Sequence, residues 1–420
     1  MMAVRPQRKP TAAEEAILAR FEDVASELRG DEAVAAARRE AIRAFERDGL
    51  PTRKVEAWHY TDLRTAMRQA PSAEVAAAGR ADALVADHIV IDLRDVARGE
   101  PAAGMSVRDM GELLSAGQAF LAPGRPYDTI GQINAAFVQG GAAIDVGAGV
   151  TVAKPVELHA SSGGAQTHLR STVTVGGGAT LTLIERHLPV ADEVLDTSVT
   201  DLIVGEGASV VYVIDQARGA GAYHLGQLNA SLGRDARLTL VMLQAGARVS
   251  RQELHVDVLG EGADFQLRGI NLLGDEALID TTMVVNHAVP NTTSEEIFRN
   301  VGTGRGRGVF QGQIKVAQVA QKTDAKMSCN TLLLSDEASF AAKPELEIFA
   351  DDVACGHGAT VDDLEPTHLF YLMARGIPER EARALLVKGF VDEMLEILED
   401  APELAGALEA KVDGWLEAHA

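Results

Sequence analysis

The sequence predicts a mainly β protein: a right-handed parallel β-helix (solenoid) core over residues 126–362, preceded by a helical and mixed domain at 1–125 and followed by a helical domain at 363–420. Three observations predict it. A glycine-centred turn followed by a short aliphatic strand recurs at near-constant spacing. Glycine is abundant, 40 of 420 residues, while aromatic residues make up only 4%, as expected of a core built from many small aliphatic strands. Apolar residues at spacings of three and four mark both ends of the chain as helical.

Taken in order, Ile17, Leu18, Phe21, Val24 and Leu28 recur on one helical face, Gly30 and Asp31 interrupt, and a second helix follows to Arg47, where Gly49 and Pro51 stop it. Residues 51–64 are dense in polar and aromatic groups, and Trp58, His59 and Tyr60 read as a contact patch that packs this domain onto the core. Residues 71–125 are mixed, with an apolar run at 88–93 and a helix expected over 107–118.

The repeat begins beyond residue 130. Its first glycines are Gly147, Gly176, Gly205, Gly233 and Gly260, in steps of 29, 29, 28 and 27 residues. Each unit is an apolar residue, a Gly/Asp turn that needs positive φ, an alanine in most units, then a strand. The two-residue period puts Leu181 with Leu183, and Leu238 with Leu240, on one face. One unit cannot bury that face alone, so the units stack into a solenoid. A β-sandwich with hairpins of similar length is the competing architecture. After Val361 the period returns to helix. Gly376 closes one helix, Pro378 opens the next, and Ala382, Leu385, Leu386, Val391, Met394, Leu395 and Leu398 give it a broad apolar face. A last helix covers 402–418.

Composition excludes several functions. Lys and Arg number 39 against 61 Asp and Glu, a formal charge of −22, which argues against nucleic-acid binding. Two cysteines, Cys329 and Cys355, cannot form a disulfide framework, so a reducing, cytoplasmic location is expected. The basic start is followed by no apolar run, so neither a signal peptide nor a membrane span is expected. There is no GxxxxGK[ST], HExxH, GxSxG or paired CxxC; no ATP is expected to bind this chain itself. The glycine- and arginine-rich segment 302–308 lacks GxGxxG spacing and reads as a turn.

The most suggestive segment is Cys355-Gly356-His357-Gly358. On a strand, Cys355 and His357 share a face. Thiolate and imidazole suit iron or zinc, and the flanking glycines permit close approach of a cluster or a partner backbone. Two ligands do not complete a tetrahedral site, so either a partner supplies the rest or the pair is structural. Cys329 reads as a small core residue. His159, His168, His187, His224 and His255 are scattered along the solenoid with no close-spaced metal pattern, and His287 reads as part of a turn.

Several segments together resemble the SufD side of the SufB/SufD family, scaffold subunits of the SUF iron–sulfur cluster assembly machinery. They are LPTRKVEAWHYTDL at 50–63, FQG at 310–312, QKTDA at 321–325, LLLS at 332–335, KPELEIFADDV at 343–353, CGHGAT at 355–360, LFYL at 369–372 and RGI at 375–377. The resemblance implies a non-enzymatic scaffold that pairs through its β-helix with SufB and recruits the ATPase SufC through its C-terminal helices. It also implies a nascent iron–sulfur cluster, transient and shared with SufB, with His357 and, with a less defined role, Cys355 as candidate ligands. Cys329 departs from that pattern, which raises a second sulfur site. A homodimer is expected to be accessible to the isolated chain. The competing functional class is a β-helical carbohydrate-active enzyme.

Overall fold

The computed structural model describes residues 9–71, 82–96, 102–119, 121, 125, 127–190 and 193–419. Its core is a parallel β-solenoid of two nine-stranded sheets. The first sheet runs β1 (Ile89–Asp92), β4 (Val156–Ala160), β6 (Thr180–His187), β8 (Ser209–Gln216), β10 (Arg237–Ala245), β12 (Asp264–Leu273), β14 (Thr293–Gly302), β16 (Asp324–Leu333), β18 (Ala354–Asp362). The second runs from β2 (Met105–Asp109) through β3 (Ala142–Val146), β5 (Gln166–Val175), β7 (Leu195–Val204), β9 (Tyr223–Leu232), β11 (Val249–Val258), β13 (Leu278–His287) and β15 (Arg307–Val316) to β17 (Ser339–Ile348). From β3 onward successive strands alternate between sheets, so each coil contributes one strand to each. Among the described residues the one antiparallel pairing is β2 with β3, where the chain enters the second sheet.

The turn chemistry accounts for the repeat. Within each turn the residue two after the first glycine takes positive φ: Gly149, Gly178, Gly207, Asp235 (φ 52°) and Gly262. The series continues beyond the glycine repeat at Asn291 (φ 57°) and Lys322 (φ 64°). Asparagine tolerates that region through local side-chain bonding. Lys322 is held there by its amide, which donates to Asp352 O at 2.6 Å, and by an ion pair between its side chain and Asp352.

The interior has two lanes. One is apolar: Leu181, Val210, Leu238 and Phe265 stack in register along the first sheet, opposite Val204, Leu232 and Val258 of the second, all buried. Burying each such side chain contributes roughly 1.5–3 kcal/mol. The other lane is polar, which corrects the expectation of a wholly aliphatic interior. Gln244, Asn271, Asn300 and Thr331 are register neighbours. Gln244 Nε2 donates to Asn271 Oδ1 at 3.0 Å, Asn271 Nδ2 to Asn300 Oδ1 at 2.8 Å, and Asn300 Nδ2 to Thr331 Oγ1 at 3.0 Å. A coil repeat places like amides one strand apart, so each satisfies the next and the lane avoids the cost of unpaired buried amides.

Helices cover the outer faces. In the N-terminal region α1 (Ala12–Val24) carries a capping box at Thr11 and Glu14, and α2 (Glu32–Asp48) is capped by Asp31. With α5 (Thr129–Phe137) they bury Leu195, Val199, Tyr223, Leu225 and Val249 on the second sheet. Trp58 packs there as expected, with the Arg251 guanidinium 3.7 Å above its ring. The segment expected as helix over 107–118 divides instead. Val107 pairs with Ile144 in β2, and the helix, α4 (Met110–Ser115), starts only after the Asp109 cap. At the other end, α7 (Glu379–Asp392), a 3-10 segment (Glu393–Leu398) and α8 (Pro402–His419) bury Val213, Val241, Leu243, Ile270 and Leu272 on the first sheet. Both sheets are therefore covered outside, but the C-terminal end of the stack, β17 and β18, carries no further coil among the described residues.

Candidate functional site

That open end holds the pair singled out from sequence. Among the described residues β18 pairs only with β16, with Cys355 opposite Ala325, His357 opposite Met327 and Ala359 opposite Cys329. Paired residues of a parallel ladder project to the same side. Ala325, Met327 and Cys329 are core residues, so Cys355 and His357 stand on the interior face of the last coil, at the mouth of the solenoid. Cys355 is half-buried against the core, and His357 is exposed. Burial pushes the Cys355 thiol above its ordinary value, and the carboxylates of Asp324 and Glu296 add to that. Alone, this chain disfavours the thiolate that a metal needs.

The two flanking glycines have no explanation within the chain. A Cβ at Gly356 or Gly358 would meet nothing within 4 Å, and neither residue has positive φ. Neither packing nor backbone conformation requires glycine there. On the adjoining edge, Phe340, Ala342 and Leu346 of β17 face the same mouth and are only partly buried. β17 and β18 each leave one side of their backbone ladders unpaired, the edge to which another strand can add.

Cys329 lies one coil inside. It is fully buried, accepts from Asn300 Nδ2 at 3.3 Å, and burial pushes its thiol up to about 12. Its register partner is Ala359, four residues from Cys355, so the two sulfurs' Cα positions are about 14 Å apart. They cannot bridge or share one metal.

Two groups escaped the sequence reading. Glu296 is an interior residue opposite Met327, and so in register through it with His357. It is fully buried, neither oxygen has an aligned hydrogen-bond partner, and burial pushes its carboxyl up to about 8. The second group corrects the view that the histidines are unlinked: His187, Asp196 and His224 converge inside the solenoid, with one ligand-type atom of each within 4.8 Å of the others. Asp196 and His224 are register partners, so their separation of one coil length was the signal available in the sequence. His287, in turn, anchors a tight turn, its Nδ1 2.8 Å from Thr292 Oγ1 and its Nε2 3.1 Å from Ser294 Oγ.

The C-terminal region presents a second exposed feature. α6 (Pro366–Met373) has no buried residue, and Phe370 and Tyr371 are 72% and 56% exposed. Large aromatic side chains left in water on one short helix mark a contact surface.

The solenoid is thus wrapped on both faces and carries Cys355 and His357 at the end where no further coil follows among the described residues. Residues 158–390 match the SufBD core domain of the SUF system for FeS cluster assembly, and residues 14–76 match the SufBD N-terminal region; the chain belongs to the SufBD family. It is 29% identical to the iron–sulfur cluster assembly protein SufD of Escherichia coli over 369 residues, 84% of this chain and 86% of that one. It is also 29% identical over 238 residues to a SufBD family protein of Synechocystis, and 31% identical over 222 residues to one of Mycobacterium bovis. The matched regions are 54% and 52% of this chain, and span about half (52%) of the Synechocystis protein and 26% of the mycobacterial one. No helix among the described residues is long and apolar enough to cross a membrane.

Proposed function

We propose that this chain is a SufD-type, non-catalytic scaffold subunit. Its bare solenoid end pairs with the homologous end of a SufB subunit, and Cys355 and His357 form half of the site where a nascent iron–sulfur cluster is assembled as cargo. α6 to α8 dock the ATPase SufC, which supplies the nucleotide chemistry that this chain's motifs lack. The observation that carries the reading is the glycine pair around His357: two positions with empty space above them, beside two imidazole- and thiol-bearing residues on an unpaired edge. On this outer row of β18, on the face opposite the mouth, an incoming strand can approach the backbone without meeting a side chain. The positive charge of the cluster's iron would offset the burial that now raises the Cys355 thiol. The same edges can pair with a second copy when SufB is absent, and two unpaired thiols accord with a reducing compartment such as the cytoplasm.

The test is reconstitution of the three-subunit complex under anaerobic conditions with wild-type, Cys355→Ala and His357→Ala chains, reading iron, sulfide and visible absorption. Loss of cluster from the His357→Ala complex, with the complex still assembled, is the expected result. A full complement of cluster in both variants would overturn the ligand role.

A further inference from the structure

His187 ends β6, Asp196 opens β7 and His224 lies in β9, all three buried in the interior of the solenoid and remote in sequence from the mouth. Their polar atoms are unusually poorly satisfied for a dry site. His187 Nδ1, Asp196 Oδ1 and His224 Nε2 have no hydrogen-bond partner. Such groups are costly unless something binds them. From these observations we infer that His187, Asp196 and His224 hold a divalent transition-metal ion of the zinc or ferrous class, independent of the cluster site at the mouth.

The donor chemistry selects that class: two imidazoles and a carboxylate suit zinc and ferrous ions, and no thiolate is present to favour a softer ion. The surroundings are those of a supported site. Glu185 Oε1 is 3.1 Å from His187 Nε2, which assigns that nitrogen the proton and leaves Nδ1 its lone pair. Glu185 is itself fixed, accepting from Ser198 Oγ at 2.6 Å, Thr200 Oγ1 at 3.0 Å and the Tyr212 hydroxyl. Asp196 Oδ2 and His224 Nδ1 lie 2.6 Å apart, so these are the atoms that the two residues would turn to a shared ion. Arg218 Nε stands 3.0 Å from Asp196 Oδ1, out of line for a hydrogen bond. Of the two carboxylates beside these histidines only Asp196 has the Arg218 guanidinium against it, while Glu185 is held by His187 and neutral hydroxyls, which leaves a negative charge for a cation to offset. Glycine is required at 226 beside His224, since a Cβ there would lie 3.0 Å from His224 Nε2 and 2.1 Å from Gln252 Oε1. Arg218, beside Asp196, also lines a surface cavity of about 1030 Å³ with Tyr223 and Ala247.

The test uses the full chain carrying Cys355→Ala and His357→Ala, so that the mouth contributes no ligands. After removal of metal by chelation it is titrated with Co²⁺, whose visible absorption reports coordination, and the bound Co²⁺ is competed with Zn²⁺. One equivalent is expected to bind, Zn²⁺ is expected to raise the unfolding midpoint, and both effects are expected to vanish in His187→Ala/His224→Ala. Asp196→Asn, which keeps the side-chain volume, is expected to weaken Co²⁺ binding at least tenfold; it serves as the deciding variant if the double substitution does not fold, judged by circular dichroism. Absence of Co²⁺ uptake by the starting protein, or unchanged uptake in the folded variants, overturns the assignment.

Discussion

His357 is the register partner of Met327, so the imidazole of the last strand occupies the row that carries a buried core side chain one coil earlier. A position that is core elsewhere in the stack is left exposed here because no further coil follows among the described residues. An outward-facing His357 would sit on the row of Gly356 and Gly358 instead, away from the mouth.

The position at the mouth leads to a separation of function from stability. His357 is exposed, and surface substitutions of this kind change stability by about 0.5 kcal/mol or less. His357→Ala is therefore expected to leave the denaturant midpoint of the isolated chain essentially unchanged while reducing cluster accumulation in the complex by at least tenfold. A large fall in midpoint would show that the residue serves the fold.

Arg251 sets the opposite case. Its guanidinium is fully buried, donating to Asp280 Oδ2 at 2.6 Å, Glu253 Oε1 at 2.9 Å and Ala57 O at 2.7 Å, and lying on the Trp58 ring. It joins two strands of the second sheet to the N-terminal segment. Arg251→Ala leaves two carboxylates uncompensated and is expected to cost roughly 3–5 kcal/mol. Lysine cannot fill the planar fork, so Arg251→Lys is expected to recover only a minor part. Chemical denaturation measures both, and a wild-type midpoint in Arg251→Ala would refute the role.

Much of this was legible in the sequence, and the limits have physical causes. The solenoid was readable because Gly147 through Gly260 mark the turns, and it faded where Asn291 and Lys322 take over the positive-φ position. That Cys355 and His357 share a face follows from strand periodicity alone. Whether the face looks inward depends on pairing with Met327, which local pattern cannot specify. The polar lane of Gln244, Asn271 and Asn300 was hidden because amides in strands read as solvent-facing until a coil above and below completes their bonds. His187, Asp196 and His224 were hidden for the same reason: only the coil brings them together.

The exposed aromatics of α6 bear on partner docking. Phe370 and Tyr371 bury nothing in this chain, so Phe370→Asp is expected to leave the isolated fold intact and to abolish co-purification of the ATPase subunit. Aromatic anchors of this kind typically contribute about 2 kcal/mol or more to an interface. Retained co-purification would move the docking surface elsewhere on α7 and α8.

Glu296 predicts a pH dependence whose sign is fixed by its burial. Its folded-state carboxyl is pushed up to about 8 from the ordinary 4.5, so the folded state holds a proton that the unfolded chain releases. The contribution is therefore fully present below about pH 4.5 and is lost as pH rises through about 8. Glu296→Gln keeps the shape of the neutral form and has no charge to bury. Its advantage over wild type is expected to be small at pH 5 and to grow to roughly 5 kcal/mol by pH 9. Denaturation of both proteins across that range checks the slope. Parallel pH profiles would mean that the carboxyl already ionises in the folded chain, with a cation or water inside the solenoid satisfying it.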